Sequence, residues 1–156
     1  MSKCAHHLKG HRNFVLSTIL SRNRMWILTI SGDGTAILWC TETFTCKRIF
    51  NHSPELDWEE HDQWVESSAF APNSIDLITA GTDCKARLWR VDSEACVHVL
   101  RGHTQPLRGS EFSSDGVWVI TSSLDTTVRM WDVSSGECLH LFRQHVRGVN
   151  LSLIHI

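Results

Sequence analysis

The chain has 156 residues, 42% of them apolar and 21% charged, with a net charge of −2. That apolar share supports a packed core, and so small a charge excludes bulk electrostatic attraction to nucleic acid or to a membrane surface. No apolar run nears the roughly 18 residues of a membrane span, and the opening MSKCAHHLKGH has no apolar signal-peptide core, so a reducing, cytoplasmic setting is expected, with the nucleus as the alternative.

In chain order, Cys4-Ala5-His6-His7-Leu8 lines up with Cys96–Leu100 and with Cys138–Phe142, each set ending shortly before a His. Residues 4–8 are therefore expected to be the last strand of a preceding unit. A full unit follows over 14–50. Phe14–Leu20 reads as a strand, Ser21-Arg22-Asn23 as a turn and Trp26–Ser31 as a second strand. Gly32-Asp33-Gly34 is a tight hairpin turn, Thr35–Cys40 a third strand and Thr45–Phe50 a fourth. Residues 51–63 form an acidic insertion and loop: His11 to His61 is 50 positions, whereas the next two His steps are 42. This is a solvated loop or, through Trp58, a partner-binding protrusion. Further units run over 64–100 and 107–142. Residues 146–156 begin another and stop, and the final LSLIHI resembles a translated adaptor and is read as foreign.

Three residue types keep one phase. Thr29, Thr79 and Thr121 lie 18 positions after His11, His61 and His103; Asp33, Asp83 and Asp125 lie 22 after; Trp39, Trp89 and Trp131 lie 28 after. The third unit opens with Gly102-His103 and closes with Trp131-Asp132. A period in the forties with these marks resembles the WD-repeat β-propeller family over roughly residues 4–150. The resemblance implies an all-β chain, a partial β-propeller of four-stranded antiparallel blades. It also implies that each His, Thr, Asp and Trp set is a buried hydrogen-bond chain, in which the indole N–H donates to Thr, Thr bonds to His and Asp accepts from His.

His, Asp and a hydroxyl also suggest a catalytic triad, but a triad occurs once in a cleft, and this set recurs at identical spacing. No enzyme activity and no cofactor are expected. Cys4, Cys96 and Cys138 keep a repeat position, Cys46 occupies the matching strand, and only Cys40 and Cys84 are out of register. With no CxxC pair, a metal rung through Cys96/His98 and Cys138/His140 is the lesser reading beside small residues packed between sheets.

The resemblance implies a non-catalytic scaffold that binds a peptide or protein on the narrow top face. Carried over by position, that face is Phe14, Leu16 and Gly32, then Trp64, Glu66 and Thr82, then Pro106, Arg108 and Leu124. The alternative reading of these residues is plain packing at blade edges. The basic residue two after Trp-Asp, frequent in substrate receptors of cullin-type ubiquitin ligases, is absent at Val133-Ser134. Propellers close with about four to eight blades. Three whole units and two partial ones imply either part of a longer propeller or self-association through open edges at 4–8 and 149–153. The alternative functions are a regulatory segment of a larger enzyme or NTPase-type signalling protein, and a truncated product without function. No nucleic acid or membrane partner is expected.

Overall fold

The computed structural model describes residues 5–52, 63–93 and 95–143. The described residues form three antiparallel four-stranded sheets, each in chain order. The first contains β1 (Val15–Leu20), β2 (Trp26–Ser31), β3 (Thr35–Cys40) and β4 (Cys46–Asn51). The second contains β5 (Val65–Phe70), β6 (Asp76–Gly81), β7 (Lys85–Arg90) and β8 (Cys96–Arg101). The third contains β9 (Leu107–Phe112), β10 (Trp118–Ser123), β11 (Val128–Asp132) and β12 (Cys138–Phe142). The expected all-β blades are present. β5 packs against both β1 and β9, so the three blades stand side by side with their first strands adjacent.

The core lies between blades. Leu28, Ile30, Ala36, Leu38 and Phe50 of the first blade meet Val65, Leu77, Trp89 and Val91 of the second. Ile78, Ala80, Ala86, Leu88 and Leu100 of the second meet Leu107, Val119 and Trp131 of the third, with Val133 packed alongside. The middle strands of the second blade, which has a neighbour on each side, thus carry apolar residues on both faces, as a sheet covered on both sides requires.

The hairpin between the second and third strands takes one shape in all three blades. The residue after the turn aspartate is left-handed each time: Gly34 (φ 76°), Cys84 (φ 64°) and Thr126 (φ 70°). Glycine adopts this freely, whereas an L side chain costs about 1–2 kcal/mol there. The blade therefore imposes the turn on Cys84 and Thr126, and Cys84 stands outside the cysteine register because it is a turn residue.

Each first strand carries a bulge at one repeat position. Pairing steps from Val15–Ser31 to Ser17–Ile30, from Val65–Gly81 to Ser67–Ala80, and from Leu107–Ser123 to Gly109–Ser122. The residues left out of the ladder are Leu16, Glu66 and Arg108.

Three boundaries differ from expectation by one residue: β1 starts at Val15, after Phe14, and β4 starts at Cys46, after Thr45, and ends at Asn51, after Phe50. Residues 5–8 are not a strand. A fourth strand is held by the third strand of its own sheet, and residues 5–8 pair with no strand among the described residues. This segment lies along the first blade, where His6 stacks on Phe44 at 3.9 Å and Gly10 sits against Ile37 and Trp39. The expected solvated insertion over 51–63 starts later than predicted, because Asn51 belongs to β4 and His52 is buried against the second blade; the expectations for Cys4, for 53–62 with Trp58 and His61, for the start of a further unit at 146–156 and for an edge at 149–153 lie outside the described residues.

Candidate protein-binding face and the networks beneath it

The first and third blades carry the same buried network. Trp39 Nε1 donates to Thr29 Oγ1 at 2.9 Å, and Thr29 Oγ1 lies 2.8 Å from His11 Nε2. His11 Nδ1 lies 3.0 Å from Asp33 Oδ2. The matching distances through Trp131, Thr121, His103 and Asp125 are 2.8, 2.9 and 2.8 Å. A carboxylate only accepts, so Nδ1 carries the proton. The Thr oxygen accepts from Trp and gives its own proton to Nε2. Every side-chain polar atom of these two Trp–Thr–His–Asp networks is thereby satisfied.

Asp33 and Asp125 also gather the turn. Thr35 and Thr127 each donate N–H and hydroxyl to the aspartate, and the N–H groups of Arg12 and Thr104 donate to its other oxygen. Burial works to raise the pKa of both carboxyls, but these hydrogen bonds outweigh it and hold them below the usual range. Burial, outweighing the Asp125 bond, lowers the pKa of His103, whose imidazole is therefore neutral. Thr35 and Thr127 keep the repeat phase two positions after the aspartate, a signal present in the sequence but not singled out from it.

The second blade is built differently. Trp89 Nε1 donates to Thr79 Oγ1 at 2.8 Å, as in its neighbours. The imidazole on Asp83 is His52, fully buried directly after β4, with Nδ1 3.3 Å from Asp83 Oδ1. Arg87 Nη1 donates to Asp83 Oδ2 at 2.7 Å and lies 2.7 Å from His52 Nδ1. The guanidinium donates to the imidazole, with Nη1 2.7 Å from Nδ1 and 3.2 Å from Nε2, while Nδ1 faces Asp83 and Nε2 lies 3.5 Å from the Thr79 carbonyl. Burial and the neighbouring Arg87 charge favour neutral His52, whose pKa is lowered although Asp83 works against it. Burial works to raise the Asp83 pKa; His52 and Arg87 together hold it at about 2.

Among the described residues the cysteines share no centre. Cys96 Sγ donates to the carbonyls of Leu88 and His98, Cys138 Sγ to that of His140, and His98 Nε2 to that of Ser134.

Above these networks the structure brings the top-face residues together in pairs that cross blade boundaries. The half-exposed Phe14 ring meets Trp64 edge to face at 5.2 Å, joining the first blade to the second. Arg108 Nη1 meets Glu66 Oε2 at 2.9 Å, joining the second to the third. Phe14 is seated on Gly32, where a Cβ would stand 2.8 Å from the ring. Thr82 fixes Trp64 by accepting its N–H at 2.9 Å and donating to its carbonyl at 3.0 Å. Leu124 N–H donates to the Pro106 carbonyl at 3.0 Å in the matching place. Leu16 is exposed, and Pro106 and Leu124 are half-buried. Leu16, Glu66 and Arg108 are the three bulge residues, and a bulge re-aims its side chain away from the ladder.

The model of the family described as WD domain, G-beta repeat, matches this chain three times, at residues 2–40, 52–90 and 94–132. The chain belongs to that family. Each match spans the first three strands of one blade and ends with the third, at Cys40, Arg90 or Asp132, so the matches are offset from the blades by one strand, and each begins nine positions before His11, His61 or His103. By that phase His61 corresponds to His11 and His103, while in the structure His52 reaches Asp83. Among its relatives, the guanine nucleotide-binding protein subunit beta of Oryza sativa subsp. indica is 30% identical over 92 residues, 59% of this chain and 22% of the relative. The same subunit of Saccharomyces cerevisiae is 30% identical over 102 residues, 62% of this chain and 22% of the relative. A probable coatomer subunit beta' of Schizosaccharomyces pombe is 27% identical over 105 residues, 65% of this chain and 12% of its own length. The chain thus spans about a fifth of the G-beta relatives and less of the coatomer subunit.

Proposed function

We propose that this WD-repeat chain is a protein-interaction scaffold that takes an extended peptide or a protein loop across the face formed by Phe14, Leu16, Trp64, Glu66, Thr82, Pro106, Arg108 and Leu124. The observation that carries the reading is the bulge repeated in β1, β5 and β9. It lifts Leu16, Glu66 and Arg108 out of their ladders beside the Phe14–Trp64 pair. Aromatic and Arg anchors of this kind are what protein interfaces use as hot spots. The relatives are named as subunits of larger assemblies, which agrees with a binding role. The family's repeats serve as platforms on which chemistry is absent or supplied by others, and no group of this face needs a catalytic role to account for its place.

The face should select peptides that combine an apolar side chain for the Phe14–Trp64 edge with a carboxylate that can compete with Glu66 for Arg108. Panning a displayed random-peptide library on the 156-residue chain tests this. Enrichment of such peptides is expected, with at least tenfold weaker binding by a Trp64→Ala, Arg108→Ala double variant that keeps the wild-type circular dichroism. Unchanged binding by the folded double variant contradicts the reading.

A further inference from the structure

The junction between the first and second blades and that between the second and third differ at one end of the strands. Asp76, Ile78 and Ala80 alternate along β6, so they share the face turned to the third blade. Fifty positions earlier the same places on the first blade are Trp26, Leu28 and Ile30, on the face turned to the second. Trp26 packs on the buried cluster of the first junction, so an indole occupies the end of that junction. In the second junction a carboxylate stands in its place.

The space is left open. A groove of about 460 Å³ runs between β7 and β8 of the second blade and the neighbouring strand ends of the third, a size within the range of about 300–1,000 Å³ over which clefts hold ligands. Leu88 and Val133 line it, and Val97 and Val117, 44% and 46% exposed, form apolar rims. Gly116, which stands where the second blade has the buried Ser74, adds no side chain to fill it. The polar side carries excess negative charge. Arg90 Nε lies 3.8 Å from Asp76 and 3.4 Å from Asp92, so one cation serves two carboxylates. Asp132 accepts from Ser134 and Ser135 on Oδ1 alone, and these bonds hold its carboxyl below the usual pKa range. Among the described residues its Oδ2 has no hydrogen-bond partner and no cation pairs with it.

We propose that this groove is a second docking site, which takes an extended peptide segment with an apolar side chain between Val97 and Val117 and a neighbouring lysine or arginine on Asp132. The unmatched carboxylate selects the basic residue, and the valine rims over Leu88 select the apolar one. A peptide is the occupant because β8, which bears Val97, is the outer strand of its sheet. With no strand beyond it among the described residues, its outward backbone groups are free to pair with an extended segment. The site is separate from the Phe14–Trp64 face. Asp76 pairs with Arg90 at one end of the β6–β7 ladder, and the hairpin that carries Thr82 beside Trp64 lies at the other.

A displayed random-peptide library panned on the 156-residue chain, after depletion on an Asp76→Trp variant, tests the proposal. That variant gives the second junction the indole of the first and so fills the groove. Peptides that survive depletion are expected to pair an apolar residue with a neighbouring lysine or arginine. Their binding should fall roughly tenfold or more on Val117→Lys, which sets a competing cation at an exposed position. It should be unchanged on the Trp64→Ala, Arg108→Ala double variant, whose substitutions lie on the other face. Circular dichroism checks each variant, and if the added indole unfolds the chain, depletion on Val117→Lys reads the same site. Recovery of no peptide specific to the wild type, enrichment of acidic peptides, equal binding by Val117→Lys, or loss of binding on the folded double variant would each overturn the proposal.

Discussion

Replacing His103 with alanine is expected to lower the unfolding free energy by about 3 kcal/mol, while Lys47→Ala on the exposed bulge of β4 changes it by less than about 0.5 kcal/mol. His103 is buried between Asp125 and Thr121, at 2.8 and 2.9 Å. Its removal leaves a carboxylate without its imidazole donor and a hydroxyl without its acceptor, each costing about 1–3 kcal/mol. The void left by the ring adds to that. Chemical denaturation with urea reads both variants on one scale, and equal midpoints for the two would show that the network does not hold the blade.

Arg87→Leu should destabilise the second blade by about 3 kcal/mol at neutral pH, because it leaves a buried carboxylate without its cation. The pH dependence separates this from a simple packing loss. Asp83 is held at about 2 in the fold against an ordinary 3.8. Its depressed pKa contributes stability that is fully present above 3.8 and is lost as pH falls toward 2, in all about 2 kcal/mol. Removing Arg87 raises the folded pKa and shrinks that contribution. The gap between wild type and variant should therefore narrow as pH falls from 4 to 2. A gap that stays constant across this window would mean that the guanidinium acts by packing alone. His52 and His103 work in the same direction at higher pH. Their folded pKa values are lowered, so the unfolded chain takes up protons more readily, and stability is lost as pH falls below the ordinary 6.5.

Much of this was legible from the sequence because a blade repeats one local pattern. Strand-type residues and turn chemistry located the middle strands of the first blade to the residue, and the family resemblance carried over Leu16, Glu66 and Arg108, which turned out to be bulge positions. The same counting could not find His52. Its side chain reaches Asp83 from the end of β4, and nothing periodic marks that approach. Arg87 was equally hidden, since Ile37 and Arg129 hold the corresponding position and only the fold brings a guanidinium against the turn carboxylate. Residues 5–8 failed as a strand for a non-local reason. Their alternation matches β8 and β12, but a strand is made by the neighbour it bonds to. The bulges themselves were illegible because pairing register is set between strands, not along one.

Nitrogen NMR of the imidazoles at neutral pH tests the central claim, that the repeated His–Asp–Thr sets are static staples in the blades. The structure predicts that His11 and His103 carry the proton on Nδ1, slow to exchange and bonded to Asp33 and Asp125. Signals from His11 and His103 that show Nε2-protonated or rapidly exchanging rings would contradict the networks on which the blades are built.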